Sequence, residues 1–503
     1  MDNLPSYSKV KRTVKRYLLD QYQEQSIVSD QIAAGVAAGL FEAIHDARLQ
    51  MLSDDVSTNQ TMSSDTVKNK WISIQLNSVK INVSLLFVLK QLFLALSCII
   101  LMLISSLRLG RRGNPEESLC LVLGLTHDQI YKQSSISSLH NFLMEKRFSF
   151  NQDVSDFLIE SRNLRSTKYK SVRTVYDVAL HLFAHYLPVK IRVRIIYTSL
   201  NKLIWIIFNL PKSAIYLVKV KQILLDIPTG KYLSELQLIS HILTTPSTAH
   251  NSPALIGALR ASAQSEMIWY SNNSIPIKSK DRFVDLFDSS FYPLEEIDVH
   301  YVWTQSHADY LAASTGSEIK VVGSMLFYPK TDSATKFSKN FCVQVFDVTP
   351  VNRDFFEHLF NNTRDALENI NQIIQLVDEI QSASAEQVTL NIKPKRQYSS
   401  SHKSEYVDHL KSLARAEKLN LVNSKMDLYN LIASSHFVIC TPYTSPAIIA
   451  QELGIPVCYF STSKDFDLLE SLDGIPVHKS VEALRTHIEC TLADYSKAKS
   501  EES

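Results

Sequence analysis

Short apolar runs that stop at small or polar residues recur along most of this chain, with helical periodicity between them. The clearest case is Ser434 to Phe460, SSHFVICTPYTSPAIIAQELGIPVCYF. Its first run, His436 to Cys440, ends at Thr441, Pro442, Tyr443, Thr444 and Ser445; an Ala/Ile-rich stretch follows, and Gly454-Ile455-Pro456 leads into Val457 to Phe460. That pattern predicts a strand, a helix and a parallel strand. The hydroxyls fall where the backbone N–H groups and positive end of the helix would meet an anion, which in a nucleotide-binding sheet is usually a phosphate.

The same alternation extends in both directions. Ser118 to Leu125 is apolar throughout, as in a strand covered on both faces, and ends in Thr126, His127 and Asp128. Met267 to Tyr270, His300 to Trp303 and Lys320 to Gly323 are further strands ending in polar residues, which makes residues 116–328 one doubly wound unit. Residues 329–340 are polar and read as a linker. A second unit, 341–490, opens with Phe341 to Phe346 before Asp347-Val348-Thr349-Pro350 and continues with a long helix, Asn362 to Ser382. After it come the strand Val388 to Ile392 running into Lys393-Pro394-Lys395-Arg396, a helix at Glu405 to Lys418, and the opening motif. The expected fold class is α/β with two Rossmann-like domains, and two such units joined by one linker form a cleft.

Residues 1–115 form a separate helical region in this reading. Ile81 to Leu107 is strongly apolar, and its uncharged part, Gln91 to Leu107, is followed by Arg108, Arg111 and Arg112. A span of the hydrocarbon core takes about 20 apolar residues, so the stretch reads equally as a membrane-inserted helix or as a buried helical hairpin. Val178 to Leu225 contains no acidic residue, and Lys190, Arg192, Arg194, Lys202, Lys212, Lys219 and Lys221 alternate there with Ile, Leu, Trp205, Phe208 and Tyr216. With Pro211 dividing it into two helical pieces, it fits a basic helical insertion at about 170–230 lying in the interface of an anionic leaflet, or a buried pair with lysines on a solvated edge.

Composition narrows the classes. The 503 residues are 45% hydrophobic, which excludes a disordered chain. The net charge of +1 argues neither for nor against nucleic acid, and the basic stretch at Val178 to Leu225 is too apolar for a solvated phosphate-binding face, so no nucleic-acid partner is expected. Six cysteines lie far apart, without CxxC pairs or adjacent histidine clusters, so the expectation is reduced buried thiols in the cytosol and no metal site. The basic, polar N-terminus is unlike a secretory signal peptide.

The segment DLYNLIASSHFVICTPYTSPAIIAQELGIPVCYF resembles the donor-site segment of bacterial surface-polysaccharide and capsule glycosyltransferases, and HYVWTQSHADYLAASTGSEIKVVGSMLFY resembles the end of their first domain. The resemblance covers roughly residues 116–490 and implies the GT-B arrangement, with the first domain binding the acceptor and the second the nucleotide-sugar donor. It further implies a transferase with no cofactor or metal, acting on a lipid-linked or growing polysaccharide at the cytoplasmic face of the membrane. The alternatives are a sugar-nucleotide epimerase and a non-catalytic assembly protein. Many retaining relatives carry two glutamates on the donor-site helix, whereas here only Glu452 is present, and Lys393-Pro394-Lys395 lacks the histidine seen in some strand ends of this kind.

On this reading Thr441, Tyr443, Thr444 and Ser445 face the donor phosphate; the alternatives are a simple N-cap for Thr444 and Ser445 and packing for Tyr443. Lys393, Lys395 and Arg396 follow a strand into the cleft, where fixed positive charge would stabilise the leaving phosphate, unless they form an ordinary basic turn. Glu452 bonds a ribose hydroxyl or solvates its helix. His127 or Asp128 is placed to take the acceptor proton, against a capping Asp beside a surface His. Asn272 and Asn273 read sugar hydroxyls or form an Asx turn, and Asp347 and Thr349 face the same cleft by position.

Overall fold

A computed structural model describes residues 71–76, 79–107, 118–124, 131–132, 135–136, 154–160, 172–175, 177–208, 220–246, 253–259, 262–271, 278–279, 297–312, 316–325, 340–350, 363–395, 397–399, 402–464 and 466–502. The described residues begin with an antiparallel hairpin, β1 (Trp71–Leu76) and β2 (Val79–Ser84), inside the stretch expected to be helical. Alternation of Val79, Ile81 and Val83 with polar residues gives that stretch a period of two. Helix α1 (Leu85–Leu107) follows directly.

The first unit is a seven-stranded sheet made of β3 (Ser118–Val122), β6 (Val154–Glu160), β7 (Val172–Val175), β8 (Ile239–Thr244), β9 (Gln264–Ile268), β11 (Val299–Val302) and β12 (Glu318–Val321). Two small pairs stand outside it: β4 (Tyr131–Lys132) with β5 (Ser135–Ile136), and β10 (Lys278–Ser279) with a strand of the second unit. The order is β12-β11-β9-β8-β3-β6-β7, every neighbouring pair parallel. The chain therefore runs outward from β3 to the edge at β7, then returns to lay β8 on the other side of β3. The basic apolar stretch is that return crossover. It contains α2 (Val178–His185), α3 (Val189–Phe208) and, after a π-helical turn at Gln222–Asp226, α4 (Ile227–Glu235). The first break falls before Pro188, where the ring cannot continue a helix, and Asp177 caps α2 by accepting from Leu180 N at 2.9 Å. Pro211, the break expected from the sequence, lies outside the described residues. A Cβ at Gly230 of α4 would sit 2.7 Å from the Ala258 Cβ of α5 (Pro253–Leu259), so only glycine permits that close crossing. Helix α6 (Gln305–Ala312) links β11 to β12.

Helix α1 packs onto this unit, with Cys98 and Met102 in one core cluster with Leu182, Phe183 and Ile195. Arg192 is 6% exposed and ties the corner, its Nη1 donating to Ala184 O at 3.0 Å and Ser106 O at 3.4 Å. The outer sides of both helices carry large exposed apolar residues: Leu89, Phe93 and Leu96 on α1, and Val193, Trp205 and Phe208 on α3. Val88–Ser106 is long and apolar enough to cross a membrane, and 28% of it is buried against the protein.

The second unit repeats the plan with β13 (Phe341–Asp347), α7 (Thr363–Ala383), β14 (Val388–Pro394), α8 (Ser404–Arg415), β15 (Asn420–Leu421), α9 (Leu428–Ala433), β16 (Phe437–Cys440), α10 (Pro446–Glu452) and β17 (Val457–Phe460). Then come β18 (Phe466–Asp467), which pairs with β10, β19 (Ser471–Leu472), β20 (Ile475–His478) and α11 (Val481–Glu502). Sheet order is β15-β14-β13-β16-β17-β20-β19, parallel except for β19. All of β13 is buried, and α7 covers it with a stripe of Ala366, Ile370, Ile373, Ile374, Val377 and Ile380 at helical spacing. Asp473 and Gly474, both at positive φ, form the two-residue turn between β19 and β20 that the dipeptide favours. The α/β class and the two Rossmann-like units expected from the sequence are both present.

Candidate active site

In a doubly wound sheet the crevice for a ligand opens where consecutive strands depart to opposite sides of the first one. In the second unit that point lies between the carboxyl ends of β13 and β16, that is, between Asp347 to Thr349 and Thr441 to Ser445. A cavity of about 30 Å³ beneath the loops is lined by Val345, Asp347, Asn369, Tyr406, Cys440 and Thr441. It has room for about one water and for nothing larger.

Asp347 forms the floor of the crevice. Its carboxylate accepts from Tyr406 Oη and from Thr349 Oγ1, both at 2.9 Å. Burial raises its pKa to about 6, and these two donors offset part of that rise. Asp347 and Thr349 thus satisfy each other inside the strand end rather than facing an open cleft. Tyr406 and Asn369 stand at the crevice without having been indicated by the sequence. Tyr406 sits on the apolar stripe of α8, and a stripe tyrosine reads as core until its hydroxyl's partner is known.

The loop after β16 is a closed turn. Thr444 Oγ1 donates to Thr441 O at 2.8 Å and Thr444 N donates to the same oxygen at 3.1 Å. Ser445 occupies the N-cap position of α10 in helical conformation, and its side chain makes no capping hydrogen bond. Tyr443 is 4% exposed, packs edge-on to Tyr459 with centroids 5.5 Å apart, and accepts from Leu469 N at 2.9 Å. Its hydroxyl serves the fold, so the packing alternative holds.

The basic strand end divides. Lys393 is 8% exposed and donates from Nζ to Ser424 O at 3.0 Å, with burial lowering its pKa. It braces the β15–α9 loop instead of entering the cleft, on the strand face it shares with Thr389 and Asn391. Lys395 is exposed beyond the strand end, and its N–H donates to Asp347 O at 3.1 Å. Arg396 lies outside the described residues, as do His127, Asp128, Asn272 and Asn273.

The units meet along their polar loops. Glu452 accepts from Ser324 N at 2.9 Å and from Ser324 Oγ, so its carboxylate bridges to the first unit rather than lying ready for a ribose. Ser306 N donates to Asp473 Oδ1 at 3.1 Å, and Trp303 joins the core cluster of the second unit around Tyr443, Tyr459 and Leu472. The loop after β9 and the loop after β17 pair through β10 and β18, Lys278 opposite Asp467 and Ser279 opposite Phe466. Two loops at strand carboxyl ends, one from each sheet, are thereby joined.

Beside this junction lies a buried polar group in the first unit. Trp303 Nε1 donates to Trp269 O at 2.5 Å, and Trp269 Nε1 donates to His300 Nδ1 at 3.2 Å, which puts the His300 proton on Nε2. His307 lies edge-on to Trp269 at 4.5 Å, and both of its ring nitrogens are buried without a hydrogen-bond partner. Burial lowers the pKa of His300 to about 4 and of His307 to about 3, so both are neutral at physiological pH.

No curated protein matches the chain in sequence. Among solved structures it is similar to the α,α-trehalose-phosphate synthase of Burkholderia vietnamiensis, at 12% identity over 75% of this chain and 90% of that one, with a TM-score of 0.42. It is also similar to the wall teichoic acid polymerase TagF, at 12% identity over 82% and 90% with a TM-score of 0.38. For TarM the figures are 13% identity and a TM-score of 0.33 over 52% of this chain, which spans half of TarM. The profile of the polysaccharide biosynthesis PFTS motif proteins matches residues 202–488, more than half of the chain, and runs across both α/β units. This chain belongs to that polysaccharide biosynthesis family.

Proposed function

We propose that this protein is a glycosyltransferase of the GT-B type. Its second unit, 341–490, holds a nucleotide-sugar donor over the β13–β16 crevice, and its first unit, 116–328, presents a lipid-linked or growing polysaccharide acceptor at the cytoplasmic face of the membrane. The observation that carries the reading is the β10–β18 pairing, which joins loops from the carboxyl ends of two parallel sheets. Ligands of open α/β sheets bind at those ends, so a donor and an acceptor would share one water-poor space. Membership of a polysaccharide biosynthesis family supports the substrate class.

In this reading the four letters of the family's name fall on Pro442, Tyr443, Thr444 and Ser445, with tyrosine in the place of phenylalanine. The Tyr443 ring anchors the turn in the core cluster of the second unit. In this scheme the backbone of the Thr444–Ser445 turn, the Ser445 hydroxyl and Lys395 meet the donor phosphates, Arg396 assists them, and His127 or Asp128 takes the acceptor proton. The exposed apolar faces of α1 and α3, with Lys190 and Arg194 on α3, seat the protein on an anionic leaflet.

The experiment is donor binding by thermal shift across a panel of nucleotide sugars. Wild-type protein is expected to be stabilised by one donor class, and Ser445→Ala to weaken that binding by about 10-fold or more, the value of one hydrogen bond to a charged group. Protein that no nucleotide sugar stabilises, together with unchanged cellular polysaccharide in the Thr444→Ala, Ser445→Ala double variant, contradicts the reading.

A further inference from the structure

We propose that Cys458, His478 and His487 form a zinc site that fastens the C-terminal helix to the second sheet. The three residues come from three elements: the middle of β17, the end of β20 and the second turn of α11. Strands β17 and β20 are parallel neighbours with Phe460 opposite His478, so by alternation Cys458 and His478 point to the same face. That face is covered by α11, whose Leu484, Ile488 and Leu492 share a core cluster with Cys458 and Phe460.

His478 Nε2 and His487 Nδ1 approach to 2.9 Å, and one ring nitrogen of each histidine lies with Cys458 Sγ in a group whose atoms are all within 4.8 Å of one another. The alternative is a simple imidazole–imidazole hydrogen bond beside a buried thiol. Zinc bonds of about 2.0–2.1 Å to nitrogen and about 2.3 Å to sulfur place tetrahedral donors roughly 3.3–3.6 Å apart. The nitrogens need to part by a few tenths of an ångström and the sulfur to close in, movements within the reach of side-chain torsions. One soft thiolate with two imidazoles selects zinc over magnesium or calcium, whose ligands are oxygens. Both histidines are half-buried, so a water can complete the fourth position.

The protons balance. Cys458 gives up one proton to solvent on binding, while each imidazole stays neutral and keeps its N–H on the nitrogen turned away from the metal, Nδ1 of His478 and Nε2 of His487. The expectation from the sequence of no metal site failed to find this group because its members are far apart along the chain, and only the β17–β20 register and the packing of α11 bring them together.

The test uses tag-free full-length protein produced with zinc and assayed for metal content, then stripped and titrated with cobalt(II). About one zinc per chain is expected, with a near-ultraviolet thiolate-to-cobalt charge-transfer band and the visible bands of a tetrahedral site. Cys458→Ser should lose the charge-transfer band, and His478→Asn and His487→Gln should lose stoichiometric binding. Cys490→Ser, at an exposed thiol outside the cluster, should keep both signals. Zinc should raise the Tm of stripped wild-type protein by roughly 5 °C and leave His487→Gln unmoved. Wild-type protein with well under one zinc per chain and no charge-transfer band overturns the proposal whether or not the variants fold, as does a Cys458→Ser protein that retains the band.

Discussion

At the scale of single residues, the buried polar side chains decide how stability depends on pH. His307 is neutral in the fold and has a pKa lowered to about 3, whereas the unfolded chain takes up the proton near 6.5. Its contribution is therefore fully present above pH 6.5 and lost as pH falls from 6.5 toward the folded value. His300, lowered to about 4, acts in the same direction. Asp347 has the opposite sign: its folded pKa is raised to about 6 from 3.8, so its buried carboxylate weakens the fold at neutral pH and this penalty is relieved on acidification. Comparing variants separates the two effects. Relative to His307→Phe, wild-type protein should lose about 2 kcal/mol of stability between pH 7 and pH 5 in urea unfolding; parallel stability curves would show that His307 protonates in the folded state.

Lys393 shows why a basic residue after a strand cannot be assigned from the sequence. The spacing that places Lys395 beyond the strand end leaves Lys393 inside it, bonded to the Ser424 carbonyl. Lys393→Met should cost about 1–2 kcal/mol through the lost hydrogen bond and leave donor affinity within about twofold. An equal-stability variant with much weaker donor binding would return Lys393 to the phosphate.

At the scale of elements, the strands with unbroken apolar runs were legible, as was the alternating β14, whereas strands interrupted by several polar residues were not. The strand-helix-strand from Ser434 to Phe460 is found within a residue at each strand, because β16 and β17 are covered on both faces and leave no polar interruption. Strands β6 and β8 were missed, since Ser155, Asp156 and Glu160 in one and Ser240 and His241 in the other break the run. The hairpin β1–β2 was taken into a helical region, and β19–β20 was not anticipated despite its Asp473-Gly474 turn. The basic apolar stretch was legible as helices but not as a crossover, because the order of strands in a sheet is a long-range property.

The outward faces of α1 and α3 carry an experimental consequence. Phe93 is 70% exposed and Phe208 82% exposed, so replacing them disturbs no core. Phe93→Glu with Phe208→Glu should abolish flotation with vesicles containing anionic lipid while changing Tm by no more than about 2 °C, since surface substitutions rarely exceed about 0.5 kcal/mol. Undiminished flotation would remove these helices from membrane binding.

At the scale of the whole molecule, the contacts that hold the two units together include one residue, Glu452, that the sequence offered as a ligand contact. Glu452, expected at a ribose or in solvent, is bonded to Ser324 across the junction, and Asp473 receives Ser306 N. The turn after β16 was legible in the sequence as a strand-to-helix turn, but not that its helix ends against the other unit, because that depends on how two separately folded sheets pack. What the sequence and the structure agree on is the pair of doubly wound sheets, each ending its strands in polar loops, one of which joins the other through β10 and β18.

The most direct test of the central claim is nucleotide release from nucleotide sugars by full-length protein on anionic vesicles, in the presence of a membrane lipid extract carrying the acceptor. The account predicts that one donor is consumed, that its sugar appears in the lipid or polysaccharide fraction, and that Ser445→Ala slows this by about 10-fold or more. Wild-type protein that is folded and vesicle-bound yet consumes no donor, or whose turnover is indifferent to Ser445→Ala, would contradict it.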